Sequence, residues 1–363
     1  MRDPRSDAPP RRPLLVTADP QLLDDLLRLC GAAGVEPDVA NDEAPARRAW
    51  AEAPLVVVGS DLVRRLVRAR VPRRAGVVLV GLDLDDAGVW DLAVEVGADT
   101  VVFLPDAQAW LVDRLGEAGD GPVSGGVTVA VLGGRGGAGA STLSAALACA
   151  AAGREVTTML VDADPLGGGI DMLLGREDAT GLRWPDLAAA AGRLSAESLR
   201  AALPRVGPLS VLSCGRGESL QLPLDAVRAV LAAARRSHDL VVVDLPRHLD
   251  DVAELVLSTA TSTLLVVPAE VRATAAAGRV AVGVGLLAGD VRAVVRGPAP
   301  SGLTGPLVAD ALGLPLAGWM DAEPDLARAQ EHGRPPPTEG KGPLASLCGS
   351  LLSDLLAVRR RAA

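Results

Sequence analysis

Residues 127–152, VTVAVLGGRGGAGASTLSAALACAAA, constrain this chain more than any other stretch. The opening run of β-branched and aliphatic residues reads as a buried strand. Glycines and alanines around Arg135 form a loop, and an alanine-rich segment with no breaker predicts a helix. A strand that feeds a glycine-rich loop into the start of a helix is a unit of an α/β fold with a parallel sheet.

The loop spells G-x-x-x-x-G-A-S from Gly134 through Gly139 to Ala140 and Ser141, where the phosphate-loop consensus is G-x-x-x-x-G-K-[ST]. It departs only at the lysine. The glycines let backbone N–H groups converge on one concavity, and the helix dipole adds its positive end, so an anion is favoured there without a side-chain charge. Ser141 can place its hydroxyl on a magnesium ion. Ala140 offers the terminal phosphates nothing, and a missing charge-assisted hydrogen bond removes about 1.5 to 3 kcal/mol, roughly ten- to a hundredfold in affinity. Arg135 is the one cation left in the loop. The plain alternative is a glycine turn with no ligand. Two later stretches weigh against it: VTTMLVDADPLGGG predicts a strand ending in Asp162 and Asp164, and HDLVVVDLP one ending in Asp244. Ligands of open parallel sheets bind at such carboxyl ends.

These stretches together resemble the MinD/ParA family of P-loop ATPases, whose variant loop reads K-G-G-x-G-K-[ST]-T. The same positions here read Arg135, Gly136, Gly137, Ala138, Gly139, Ala140, Ser141 and Thr142. The resemblance runs over about residues 127–358 and implies ATP or ADP with Mg²⁺ on residues 134–142. In the family the first lysine reaches across a nucleotide-sandwiched homodimer, and Arg135 holds that position. Asp164 stands where the family's water-orienting aspartate stands. Ser141, Asp162 and Asp244 match the residues that hold magnesium directly or through water. Arg296 occupies a strand end where the family often has an adenine-reading asparagine; with donors only, an arginine can stack on a base or meet a phosphate instead.

The preceding residues 13–116 alternate strand and helix signals: LLVT, PQLLDDLLRLCGAAG, PLVVVGS, AGVVLVGL, DLAVEVG, DTVVFLP and QAWLVDRLG. They resemble the receiver domain of response regulators in order, while the chemistry is missing. Thr17 and Ala18 stand where receivers are acidic, Gly59 where the phosphoacceptor should close PLVVV, and Leu104 where a lysine precedes Pro105. The expectation is a pseudo-receiver that serves as an interaction surface. Asp19 and Asp61 either bind a cation or are solvated loop carboxylates, the second being favoured.

The expected organisation is therefore a disordered tail over 1–12, a receiver-like domain over 13–116, a flexible EAGDGPVSGG linker over 117–126 and a MinD/ParA-like domain over 127–363. The fold class is α/β, two doubly wound domains with mostly parallel sheets. With one Phe, five Trp and no Tyr, the cores must be packed from Ala, Val and Leu. A net charge of −9 argues against a general grip on nucleic acid, since such binding needs a basic surface. Cys30, Cys149, Cys214 and Cys348 lack metal spacing and read as buried hydrophobes of a reducing cytoplasm.

Three residues and one segment pose open choices. Trp184 beside Arg183 is an anchor for a partner or, the favoured reading, a core tryptophan. Arg216 lines the site or is solvated, and His248 reads as a surface residue. The last helix, LASLCGSLLSDLLAVRRRAA, carries Leu344, Leu347, Leu351, Leu352, Leu355 and Leu356 on one face. That face packs on the sheet or, with Arg359, Arg360 and Arg361, makes a peripheral contact with anionic lipid; packing is favoured. The combination of domains resembles CpaE-like and septum site-determining proteins, which implies a cytoplasmic spatial regulator, at the inner membrane face where lipid is engaged, with partners in the division or pilus and secretion machinery. An ATPase in which Arg135 replaces the lysine, and a ParA-like DNA-partitioning protein, are the alternatives.

Overall fold

The computed structural model describes residues 12–81, 88–119, 126–189, 196–215, 221–300, 302–324, 326–338, 340 and 342–362. The chain divides into two compact units, Met1–Val123 and Ser124–Ala363.

In the first unit five strands, β1 (Leu14–Val16), β2 (Asp38–Ala40), β3 (Val56–Gly59), β4 (Val77–Gly81) and β5 (Thr100–Phe103), form one parallel sheet in the order β2-β1-β3-β4-β5. That is the flavodoxin-like order. Helices α1 (Pro20–Ala33), α2 (Glu43–Ala49), α3 (Val63–Arg68), α4 (Gly88–Val96) and α5 (Gln108–Gly119) connect the strands. Period-2 burial on the strands splits the core into two apolar layers, one built on Trp50, Leu66 and Leu79, the other on Leu26, Leu111 and Leu115.

The space beside Gly59, where the receiver resemblance places an acceptor, is occupied by neighbouring side chains. Asp61 turns back beside Gly59, where an added Cβ would collide with its Oδ1. Asp61 Oδ1 accepts from Thr17 Oγ1 at 2.9 Å and Oδ2 from the Ala18 N–H at 2.7 Å, tying the loop after β1 to the loop after β3. Asp19 caps α1, accepting from the N–H groups of Gln21 and Leu22. Both carboxylates thus have structural partners. Among the described residues no group of three His, Cys, Asp or Glu side chains is arranged to hold a metal.

The second unit holds strands β6 (Val127–Gly133), β7 (Thr158–Asp162), β8 (Arg205–Val206), β9 (Leu209–Leu212), β10 (Leu240–Asp244), β11 (Ser262–Pro268), β12 (Val291–Arg296) and β13 (Leu316–Met320). Their order is β13-β12-β11-β6-β10-β7-β9-β8, and the β8–β9 edge pair is antiparallel while the others run parallel. The helices are α6 (Ala140–Ala152), α7 (Ile170–Leu173), α8 (Trp184–Ala189), α9 (Ala196–Ala202), α10 (Leu224–Ser237), α11 (Asp251–Thr259), α12 (Val271–Leu287), α13 (Gly305–Leu312), α14 (Leu326–Glu331) and α15 (Pro343–Ala362). Strands β6, β7, β10 and β11 are buried along their whole length, as expected of a sheet covered on both faces.

One face is covered by α10 to α13, the other by α6 and α15. The alanines of α6 let that helix sit close on the central strands. Leu344, Leu347, Leu351, Leu352 and Leu355 of α15 are buried against α6 and β13 and Leu356 is half-buried, so most of its apolar face packs on the core. No helix among the described residues is long and apolar enough to cross a membrane. Trp184 is fully buried, a core residue and not an exposed anchor. His248 is exposed. All four cysteines are free, and burial pushes their thiols up to about 11 or 12. Helix α5 continues to Gly119, three residues into the stretch read as linker. Residues 1–11 of the tail, 120–125 of the linker, Arg216 and the side chains of Arg359–Arg361 lie outside the described residues.

Candidate functional site

The site is built at the carboxyl ends of β6, β7, β10 and β12. Pairing registers place Asp244 beside Val131 of β6 and beside Asp162 of β7, so two carboxylates end neighbouring strands at one level. Between them and the loop starts α6.

Residues 134–139 form the loop because its glycines meet different demands. Gly137 and Gly139 have φ of 67° and 99°, the left-handed region that favours glycine. A Cβ on Gly134 would lie 2.5 Å from the Ala277 methyl of α12, so the loop is pressed onto that helix. Gly136 and Gly137 face open space, and their backbone is free to approach a ligand. Ala138 buries its methyl in the core beneath. Ala140 begins α6 half-buried, and Thr142 Oγ1 accepts from Gln330 Nε2 of α14 at 3.3 Å.

Asp244 is buried and accepts a hydrogen bond from Ser144 Oγ at 2.9 Å, with Ser141 near enough to favour its charged form. Ser144 Oγ also lies 3.0 Å from the Ala140 carbonyl, and its one proton serves one acceptor at a time. Burial first, then the nearby Asp162 and Asp164, push the Asp244 carboxyl up to about 7 against the pull of the two serines. Asp162 is raised too, by burial, although it accepts from the N–H groups of Ile170 at 2.9 Å and Asp164 at 3.2 Å and from Ser213 Oγ at 3.3 Å. Its carbonyl accepts from Trp184 Nε1 at 2.6 Å, which fixes the strand end to the core. Asp164 is half-buried, with Oδ1 accepting from the Leu166 N–H at 3.0 Å. Mg²⁺ keeps several waters and binds through one or two carboxylates, so it does not require the cage of three acidic ligands that the described residues lack. Ser141 and Asp244, with Asp162 through water, are the residues that could hold it.

Arg135 and Arg296 bring positive charge to the loop. Arg135 Nη2 pairs with Glu270 Oε1 at 2.9 Å, at the cap of α12. Arg296, the last residue of β12, donates from Nη1 to the Gly137 carbonyl at 3.0 Å. It also lines a cavity of about 270 Å³ with Gly139, Thr142, Met320 and Glu323. Every residue read from sequence as nucleotide- or metal-binding thus falls in one region. Ser144 and Glu270 carry no role in the sequence reading. Ser144 was findable, one helical turn after Ser141; Glu270 reaches Arg135 across 135 residues of chain.

This geometry defines the class. The second unit has the fold of the MinD/ParA P-loop ATPases, and the first a receiver-like fold. The ParA family ATPase from Chlorobium tepidum superposes with a TM-score of 0.54 at 15% identity, over 64% of this chain and 98% of that one. The MinD cell division protein of Aquifex aeolicus gives 0.53 at 23% identity, over 64% and 97%. The septum site-determining protein MinD complexed with Mg-ADP from Pyrococcus horikoshii gives 0.50 at 16%, over 64% and 98%. Residues 16–126 match the family described as Rv3660c-like, CheY-like N-terminal domain. The uncharacterized protein Rv3660c of Mycobacterium tuberculosis is 44% identical over 320 residues, 87% of this chain and 90% of that protein. The chain belongs to the Rv3660c-like family.

Proposed function

We propose that this chain is a nucleotide-responsive spatial regulator of the MinD type, in which ATP or ADP with Mg²⁺ on residues 134–142 controls pairing with a second copy and contact with protein partners. The observation that carries this reading is the set of groups gathered at the phosphate loop. The glycine cradle, the Ser141 and Ser144 hydroxyls beside Asp244, and Asp162 and Asp164 at the next strand end are assembled around a loop that lacks only its lysine. A glycine-rich turn with no ligand does not require buried carboxylates raised by desolvation at its rim.

In this reading backbone N–H groups of the loop hold the phosphates, and Ser141 with Asp244 holds a water-shelled Mg²⁺. Asp164 orients the attacking water. Turnover is weak, because no lysine at position 140 neutralises charge on the transferring phosphoryl group. Arg135, freed from Glu270, reaches the partner copy's phosphates. Division-site placement and pilus or secretion assembly are the two proposed settings; the solved relatives named for cell division and septum-site determination support the first. DNA partitioning is disfavoured by the net charge of −9.

Calorimetric titration of the full chain with Mg-ATP and Mg-ADP, with light scattering alongside, tests the reading. Ala140→Lys restores the absent contact and raises affinity about ten- to a hundredfold. If neither the natural chain nor Ala140→Lys binds nucleotide, the site is structural and the reading fails.

A further inference from the structure

The missing lysine leaves the loop with a deficit of charge, and the structure brings a cation to it from another strand. Arg296 ends β12, which β11 separates from β6 in the sheet, and its side chain crosses to the loop. Nη1 donates to the Gly137 carbonyl at 3.0 Å and lies 3.3 Å from where a Cβ on Gly139 would be. A guanidinium has five N–H donors in a planar fork. Beyond its one bond to Gly137, Arg296 lines the 270 Å³ cavity together with Gly139, Thr142 and the acidic residues Asp321 and Glu323. Arg135, the other cation, is engaged by Glu270. The fork is half-buried, and burial with the repulsion of Arg135 lowers the Arg296 pKa against the pull of Glu270, a situation that an incoming anion relieves.

We infer that Arg296 makes the cationic contact to the phosphate chain that a P-loop lysine at position 140 would make, so that the loop and the end of β12 form one site for a diphosphate. The inference rests on the nucleotide reading above and deepens it. Its consequence is specific: the Arg296 contact is to phosphate and not to a base, and it is interchangeable with a lysine on α6.

The test compares Mg-pyrophosphate, which has no base, with Mg-ADP on the full chain by calorimetry. The variants are Arg296→Ala, Arg296→Lys, Ala140→Lys and the double variant Ala140→Lys/Arg296→Ala, each checked for native far-UV circular dichroism. The expected result is that Arg296→Ala weakens both probes by the same factor, about ten- to a hundredfold. Arg296→Lys retains part of the affinity, and the double variant recovers it. Loss of Mg-ADP binding with Mg-pyrophosphate spared would mean that Arg296 stacks on the base, and would overturn the inference. A gain of affinity in Arg296→Ala would mean that the side chain plugs the loop, and would overturn it equally. If the natural chain binds neither probe while Ala140→Lys binds both, the inference fails and the nucleotide site stands. If no variant binds either probe, both fail.

Discussion

Two buried titratable groups of the second unit push stability in opposite directions as pH changes, and Asp244→Asn separates them. Asp244 is raised from an ordinary 3.8 to about 7 by burial. A carboxyl whose folded pKa lies above its unfolded one contributes stability that is fully present below 3.8 and lost as pH rises through 7. The displacement corresponds to about 4 kcal/mol on the scale of 1.36 kcal/mol per tenfold. His238 behaves oppositely. It is buried between Ser237, Ser210 and the Ala234 carbonyl, and desolvation lowers it from 6.5 to about 4. Its contribution is present above 6.5 and is lost as pH falls toward 4, about 3 kcal/mol in all. Across the acid range the two nearly cancel. Asparagine at position 244 keeps an acceptor for Ser141 and Ser144 and removes the titration. Asp244→Asn therefore gains stability relative to the natural chain as pH rises, with the difference between the two growing by about 4 kcal/mol from about pH 4 to about pH 8. Urea unfolding in the presence of a chelator, followed by circular dichroism at several pH values, gives that difference directly. A difference that does not change with pH would refute the assignment of a buried, metal-free Asp244 with a raised pKa.

Two further outcomes follow from contacts of the site. Trp184→Phe removes the 2.6 Å bond to the Asp162 carbonyl, which keeps the weak 3.9 Å bond from Cys214 Sγ, and costs about 1 to 3 kcal/mol in urea unfolding; a cost within experimental error would show that the indole only fills space. Glu270→Gln releases Arg135 from a half-exposed ion pair worth at most about 1 kcal/mol, so nucleotide-driven self-association read by light scattering strengthens by no more than about fivefold; weakened association would show that Glu270 orients Arg135 productively.

Much of this protein is legible in its sequence. Two doubly wound units, the strand–loop–helix at 127–152, and Asp162, Asp164 and Asp244 at strand ends follow from hydrophobic runs bounded by glycine and acid, since a parallel strand buried on both faces must be continuously apolar and ends where polarity returns. The choices left open were those that sequence periodicity does not decide. The leucine face of α15 has the same spacing whether it meets lipid or α6, and its burial against α6 and β13 decided it. Trp184 beside an arginine has the same sequence whether it is an anchor or a core residue, and its bond to the Asp162 carbonyl shows the second.

The sequence by itself determined the loop, its missing lysine and the absent receiver chemistry, because each is a property of consecutive residues. Only tertiary structure decided what surrounds them. Asp61 fills the space beside Gly59, Glu270 pairs with Arg135, and Arg296 lies on the Gly137 carbonyl. The last two link residues whose distance along the chain carries no signal of their contact, and the parallel sheet makes them neighbours by stacking the ends of distant strands along one edge.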